Sequence, residues 1–293
     1  SDIMTPLEPM LERVGVGLRF DPGPVLERPL RTRAQVKGLV PLEAESGTAH
    51  VMEALRIVRA ELPRERALIG FAGAPFTLLC YLVEGAGSKD FMEARAFLAR
   101  EPVAAAELLD VLGTSMARYL IAQARAGADA LMLFDSWAGL LAPDDYRRVA
   151  LPGLRALVRT AREAVDVPLI YFPAGGGALL EAVREIGADV VGIDWTTPLS
   201  RAARRLGSGA VVQGNLDPAA LFADRARLGD AVDRVLEEGR AAAAHVFNLG
   251  HGIHHATDPD QVAFLVDRVH AAAEPGAAAE RDAAAGARAE VVQ

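Results

Sequence analysis

The chain has 293 residues, of which 51% are hydrophobic and 24% charged, so it is long enough to bury a large core. Its formal net charge of −8 argues against nucleic acid or an anionic membrane surface as a partner, because an acidic surface repels phosphates. The single cysteine, Cys80, excludes an internal disulfide framework and a thiolate cage around a metal. Without a signal-peptide pattern or an 18-residue uncharged apolar run, a soluble cytoplasmic protein is expected.

Six short apolar runs recur along the chain and predict β-strands. In chain order they are ALIGFAGAP (67–75), ALMLFDSWAG (130–139), VPLIYFPAGGG (167–177), DVVGIDWTTP (189–198), AVVQGNLDP (210–218) and HVFNLGHG (245–252). The segments between them, such as 101–128 and 144–164, repeat apolar residues at i, i+3, i+4 and i+7, which predicts helices. Strands that are apolar throughout and alternate with helices indicate a parallel sheet covered on both faces.

The chain begins with SDIM (1–4), which is typical of the end of a seventh strand. Because a closed barrel needs eight strands, we predict a single-domain (β/α)8 TIM barrel over residues 1–272. About one and a half βα units at its N-terminus are then missing from the chain. An open doubly wound sheet is the weaker alternative, since no G-x-G-x-x-G turn follows a strand in the dinucleotide position. The Ala-rich segment 273–293 has no core period and predicts a disordered tail.

Four residues at or just after the C-terminal ends of strands are candidates for chemistry, because ligands of parallel barrels bind at that edge. Asp2 ends the truncated strand, and Tyr81 lies on the helix predicted just after the 67–75 run. Ser136 follows Asp135, and His251 lies between two glycines. Each has a structural alternative. Asp2 or Ser136 can cap a helix, Tyr81 can be a packed ring, and His251 can be a core histidine. No G-x-S-x-G elbow supports a hydrolytic serine.

Two further signals are weak. HGIHH (251–255) brings three histidines together, but no second ligand-rich motif accompanies it, so we predict no metal site. GGGAL (175–179) opens a helix after a strand and could cradle a phosphate, although the motif alone is not specific.

Several strings, taken in order on successive predicted strands, resemble the uroporphyrinogen decarboxylase family. They are SDI, GFAGAPFTL with the following Y and EGAGS, FDSWAG, VVGIDWT, QGNLDP and FNLGHGI, and they extend over residues 1 to about 270. The resemblance implies a (β/α)8 barrel, usually a homodimer with its active-site clefts facing one another. It implies removal of carbon dioxide from the four acetate side chains of uroporphyrinogen III to give coproporphyrinogen III, without a cofactor or a metal.

The resemblance also assigns roles to the four candidates. Asp2 matches the family's central aspartate and Tyr81 its cleft tyrosine, which are expected to be catalytic. Together with Ser136 and His251 they are expected to bind the substrate. The family's R-Q-A-G-R-Y segment, whose arginines bind substrate carboxylates, does not occur in this sequence. We therefore expect little activity from the 293-residue chain alone, and activity from a version extended through that segment.

Two alternatives remain open from the residues. One is a related barrel methyltransferase acting on a corrinoid or a thiol, which is expected to need zinc held by His and Cys ligands. The position of Cys80, far in sequence from the GHG segment, counts against it. The other is a porphyrinogen-binding module without catalysis.

Overall fold

A computed structural model of the chain describes residues 2–20 and 23–273. An antiparallel pair, β1 (Leu18–Phe20) and β2 (Pro24–Leu26), precedes a six-stranded sheet. The sheet strands are β3 (Ile69–Gly73), β4 (Ala130–Asp135), β5 (Leu169–Pro173), β6 (Val190–Gly192), β7 (Val211–Leu216) and β8 (Ala244–Leu249). Each predicted strand contains one of them, so all six strand predictions are confirmed.

Helices connect the strands and cover them. They are α1 (Glu8–Glu12), α2 (Arg33–Val36), α3 (Ala44–Gly47), α4 (Ala49–Glu61), α5 (Pro75–Glu84), α6 (Met92–Arg100), α7 (Pro102–Arg125), α8 (Pro143–Val149), α9 (Leu151–Ala164), α10 (Leu180–Arg184), α11 (Leu199–Leu206), α12 (Arg225–Gly239) and α13 (Pro259–Ala273). Short 3-10 helices occupy Thr5–Leu7, Ala138–Leu140, Gly176–Ala178 and Pro218–Phe222. The predicted segment 144–164 is two helices that meet at Ala150. Pro152 then lies in the first turn of α9, where its missing N–H costs nothing.

The strand order decides between the two predicted architectures. All neighbouring strands are parallel and pair in chain order from β3 to β8. A doubly wound sheet would reverse direction at a switch point, and this sheet does not. The sheet also curls, because the Nε2 of Gln213 on β7 lies 3.9 Å from the sulfur of Met132 on β4. In a flat sheet those strands would be about 14 Å apart. The architecture is therefore the predicted α/β barrel.

The main core lies between the outer faces of the strands and the helices. The long helix α7 packs against α5, α9 and β3, and its inner residues are fully buried. A separate apolar layer fills the barrel interior, where Phe71, Phe134 and Phe172 meet edge to face at 5.8 and 6.2 Å. Within the described residues β3 and β8 do not pair with each other, and β8 alternates exposed and half-buried positions.

The ends of the chain differ from the prediction or lie beyond it. Residues 2–7 form a turn and a 3-10 helix, so the prediction of a strand end at 1–4 is wrong for the described residues. The turn forms because the Asp2 carboxylate accepts the Met4 N–H at 2.9 Å and Pro6 has no N–H for a ladder. The predicted tail 273–293 lies outside the described residues, apart from Ala273 at the end of α13.

Candidate active site

The alternation of side chains along β4 decides which residues line the opening at the C-terminal ends of the strands, here called the barrel mouth. Leu131, Leu133 and Asp135 point toward the helices and are buried, whereas Met132 and Phe134 point into the barrel. Ser136 continues this inward series one residue beyond the strand and lines a cavity of about 350 Å³. Ser136 is not the N-cap of either helix that follows it. The helix-cap alternative for Ser136 is therefore wrong.

The segment after β8 brings His251 to the same cavity. Residues from β4, β5, β7 and the end of β8 share its lining, including Ser136, Phe172, Gln213, Asn248 and His251. The His251 ring is exposed and meets Trp195 edge to face, with ring centroids 5.8 Å apart. His251 is thus not a core histidine with both ring nitrogens satisfied, and it is free to contact a ligand.

The glycines on either side of His251 have different tasks. A Cβ at Gly250 would overlap the backbone nitrogen of Trp195 and lie 2.9 Å from that residue's Cβ. A Cβ at Gly252 would meet nothing within 4 Å. Gly250 therefore allows the close approach of the β8 end to the 194–197 segment, and this approach sets the position of His251 against Trp195.

This difference predicts unequal effects of two matched substitutions. Gly250→Ala is expected to destabilise the protein by about 1–3 kcal/mol, because backbone atoms must move to admit the methyl group. Gly252→Ala, one residue beyond His251, is expected to change stability by less than about 0.5 kcal/mol. Urea unfolding followed by circular dichroism measures both. Equal losses for the two variants would contradict the assigned role of Gly250.

Tyr81 lies on α5, as predicted, four residues from the end of that helix. Its half-buried ring contacts Phe91 and Trp137 edge on, with centroid distances of 5.3 and 6.3 Å. Burial raises the pKa of Tyr81, the nearby indole N–H of Trp137 opposes that effect, and the negative charge of Asp2 adds to it. Tyr81 is packed, but its electrostatic neighbours include the predicted catalytic carboxylate.

Asp2 is exposed, and its Oδ1 caps the turn that leads into the first 3-10 helix. The neighbouring Ile3 rests against the end of β3, where an added Cβ at Gly73 would lie 3.3 Å from the Ile3 Cβ. This contact holds the N-terminal segment at the C-terminal edge of the sheet. Asp2 thus combines the capping geometry with an electrostatic effect on Tyr81, and its catalytic role stays a prediction.

The four candidates therefore form two pairs joined by one turn. Ser136 and His251 share the cavity, and the charge of Asp2 acts on the pKa of Tyr81. Trp137 connects the pairs, because it follows Ser136 in the chain and its ring contacts Tyr81. The cavity lining described here includes no lysine or arginine.

Sequence reasoning missed a buried polar network behind the mouth. The Asp135 carboxylate accepts hydrogen bonds from the hydroxyls of Thr77 and Tyr171, both at 2.7 Å, and Tyr146 pairs with Tyr171 at 2.7 Å. All four side chains are fully buried. Burial raises the pKa of Asp135 to about 6, against the hydrogen bonds, which favour the carboxylate. The only sequence signal was an acidic residue inside an otherwise apolar run.

The weaker motifs gain no support as ligand sites. The N–H of Gly175, which a phosphate would need, donates to Oδ2 of Asp194 at 2.7 Å. His254 and His255 lie next to each other with ring centroids 4.2 Å apart. Among residues 2–20 and 23–273, no three His, Cys, Asp or Glu side chains are grouped as metal ligands would be. Cys80 is buried in α5.

Comparison with solved structures supports the barrel. A methyltransferase from Methanosarcina mazei superposes with a TM-score of 0.73 at 18% identity, covering 90% of this chain and 77% of that one. A B12-independent methionine synthase from Shewanella sp. W3-18-1 superposes with a TM-score of 0.53 at 11% identity, covering 75% of this chain and 65% of the other. At these identities the similarity is one of fold alone.

Comparison with sequences is more specific. The family model described as uroporphyrinogen decarboxylase (URO-D) matches residues 1–272. A uroporphyrinogen decarboxylase of Syntrophotalea carbinolica is 46% identical over 270 residues, which cover 92% of this chain and 77% of the relative. That of Streptomyces avermitilis is 46% identical over 272 residues, covering 92% and 75%. The resemblance seen in the motifs is therefore confirmed, and the chain belongs to the uroporphyrinogen decarboxylase family.

Proposed function

We propose that this chain is a carboxy-lyase that removes the acetate carboxylates of uroporphyrinogen III, giving coproporphyrinogen III and carbon dioxide. The observation that carries the proposal is the convergence of Ser136 and His251 on one cavity in a chain of this family, with Trp137 linking Ser136 to Tyr81. The aromatic interior formed by Phe134 and Phe172 supports packing against the apolar pyrrole rings of the macrocycle.

The reaction needs a sink for the electrons of the breaking bond. Protonation of a pyrrole carbon next to the acetate makes a cationic ring. The bond between the acetate methylene and its carboxylate then breaks, its electron pair neutralises the ring, and carbon dioxide leaves. A second proton adds to the methylene to form the methyl group, and loss of the first restores the pyrrole. Stabilising the cationic ring is therefore the main catalytic task.

The four candidates suit parts of this task. A carboxylate at Asp2 accepts hydrogen bonds from pyrrole N–H groups and opposes the transient positive charge. Tyr81, Ser136 and His251 can donate hydrogen bonds to acetate and propionate groups. An eight-carboxylate substrate also requires cations, and arginines are the best suited because they bind carboxylates with two hydrogen bonds. The family's arginine segment would supply them.

The test compares two proteins with uroporphyrinogen III in the absence of oxygen. One is the 293-residue chain, and the other, called the extended protein, is the same chain preceded by the arginine segment of the family. We expect coproporphyrinogen from the extended protein, insensitive to chelators, and little from the 293-residue chain. Products are measured by chromatography after oxidation to porphyrins. Binding without decarboxylation by the extended protein would favour the binding-module alternative. Zinc bound in equal molar amount, with no coproporphyrinogen formed, would favour the methyltransferase alternative.

We also propose that the protein is a cytoplasmic homodimer whose barrel mouths face each other. In the part of the chain that the structure describes, no helix has the length and hydropathy needed to cross a membrane. Exposed apolar side chains surround the mouth, with Trp195 44%, Ile253 52% and Phe222 57% exposed. Such a patch favours a protein partner. Phe222→Asp is expected to shift the species in analytical ultracentrifugation from dimer to monomer. An unchanged dimer would exclude this face as the interface.

A further inference from the structure

The buried carboxylate of Asp135 is not used by the proposed reaction. Its hydrogen bonds connect it to the segment that carries Ser136 and Trp137 at the barrel mouth. Both of its oxygens accept hydroxyl hydrogen bonds, Oδ1 from Thr77 on α5 and Oδ2 from Tyr171 on β5. A buried carboxylate is costly, so its retention beside a site calls for a physical reason.

The first step runs through the Thr77 hydroxyl. It donates its single hydrogen to Asp135, which leaves its lone pairs to accept the backbone N–H of Trp137 at 3.2 Å. A hydroxyl without that acceptor would be free to rotate and to direct its hydrogen elsewhere. The carboxylate thus fixes the hydroxyl, and the hydroxyl fixes the turn that carries Trp137.

The second step runs from Trp137 to Tyr81. The indole packs against Phe91, with ring centroids 4.5 Å apart, and against the edge of Tyr81. The indole Nε1 is buried, and it has no hydrogen-bond partner of normal geometry among the described residues. An unsatisfied buried N–H is costly, and this one acts to lower the pKa of the neighbouring Tyr81. Thr77 and Tyr81 are four residues apart on α5 and so lie on the same helix face.

We infer that Asp135, Thr77 and Trp137 form a brace that positions Tyr81 at the barrel mouth. The Trp137 indole packs against the Tyr81 ring and so fixes where its hydroxyl, and with it the phenol proton, lies. Thr77, Asp135 and Trp137 are positioning residues that act through Tyr81. The importance of that proton for decarboxylation rests on the proposed function, whereas the brace itself does not.

The test measures the titration of Tyr81 in the 293-residue chain, without substrate, by NMR of tyrosines labelled with ¹³C at Cζ. The chain has four tyrosines, and the other three are 1% exposed or less. Burial raises the pKa of Tyr119 to about 12, and it also raises those of Tyr146 and Tyr171. Tyr81 is therefore expected to titrate first, and Tyr81→Phe identifies its signal.

Trp137→Phe and Thr77→Val are both expected to raise the Tyr81 midpoint by about 0.5–1 pH unit, because the indole N–H, which acts to lower the pKa of Tyr81, is removed in the first variant and loses its fixed position in the second. Thr77→Ser, which restores the hydroxyl, is expected to restore the midpoint. Tyr146→Phe is the control, since it removes a buried hydroxyl from the same network and leaves both hydrogen bonds of Asp135 intact. It is expected to leave the midpoint unchanged.

The brace is overturned if Trp137→Phe leaves the Tyr81 midpoint unchanged, or if Thr77→Ser shifts it as far as Thr77→Val. If Thr77→Val does not fold, the test rests on Trp137→Phe alone. This variant is expected to fold because it keeps an aromatic ring against Phe91. The titration separates the two proposals. A shifted midpoint, together with failure of the extended protein in the decarboxylation assay, would support the brace and refute the proposed function.

Discussion

Replacing Asp2 by asparagine in the extended protein is expected to lower the turnover number at least a hundredfold, with the fold intact. A preorganised group that stabilises transition-state charge contributes about 10²–10³ in rate, and Asn removes the charge without removing the side chain. The amide oxygen of Asn can still accept the Met4 N–H that the Asp2 Oδ1 accepts, so the turn over residues 2–4 is preserved. Turnover is measured by chromatography of the porphyrins, and folding by circular dichroism.

The control for this substitution removes the same charge at the opposite end of the barrel. Asp166 is exposed in the connection between α9 and the N-terminal end of β5. Asp166→Asn is expected to keep the turnover number within about twofold, since exposed charges beyond a Debye length of ~10 Å are largely screened. Near-normal turnover by the Asp2→Asn variant would show that its charge is not needed for stabilising the cationic ring.

The protein is expected to become less stable as the pH rises because Asp135 loses its proton. Replacing Asp135 by asparagine is expected to abolish this pH dependence. The folded-state pKa of Asp135 is about 6, above the ordinary value of 3.8. Between these two values the folded protein holds more protons than the unfolded chain, so the free energy of unfolding decreases as the pH rises. The decrease amounts to roughly 3 kcal/mol in total and is complete above about pH 6.

The measurement is the difference in free energy of unfolding between the original protein and Asp135→Asn, from urea titrations at pH 4 to 7. All other titrating groups are common to both proteins and cancel to a first approximation. The advantage of the original protein over the variant should shrink as pH rises. The difference between the original protein and Tyr146→Phe should be constant, because neither the phenol nor the phenyl ring titrates there. A difference for Asp135→Asn that is also constant, or that grows with pH, would mean that Asp135 is not held in a desolvating environment.

The strands were predictable because each is a local signal. An apolar run bounded by Gly, Pro or Asp is visible without knowledge of its neighbours, and all six lie where the sequence predicts them. The positions of Ser136 and His251 followed from the rule that parallel strands present ligands at their C-terminal ends. The division of 144–164 at Ala150 was missed because Pro152 is compatible with a helix start as well as with a kink.

The network around Asp135 could not be predicted in the same way. Its hydrogen bonds join residues 58 and 36 positions apart, and they depend on the register between β4 and β5 and on the placement of α5. A one-residue change in register would turn Asp135 into the barrel and Ser136 outward. Local patterns do not fix such a register. The partners of a lone acid in an apolar run therefore become visible only once the sheet is assembled.

The alternation along β4 has an evolutionary consequence. Odd-numbered positions such as Leu133 are constrained by packing against the surrounding helices. Even-numbered positions such as Phe134 are constrained by the ligand that occupies the barrel interior. Substitutions at the residues that line the barrel interior can therefore change which ligand binds, while the packing between strands and helices is preserved. The chain accordingly superposes on a methyltransferase with which it shares only 18% sequence identity.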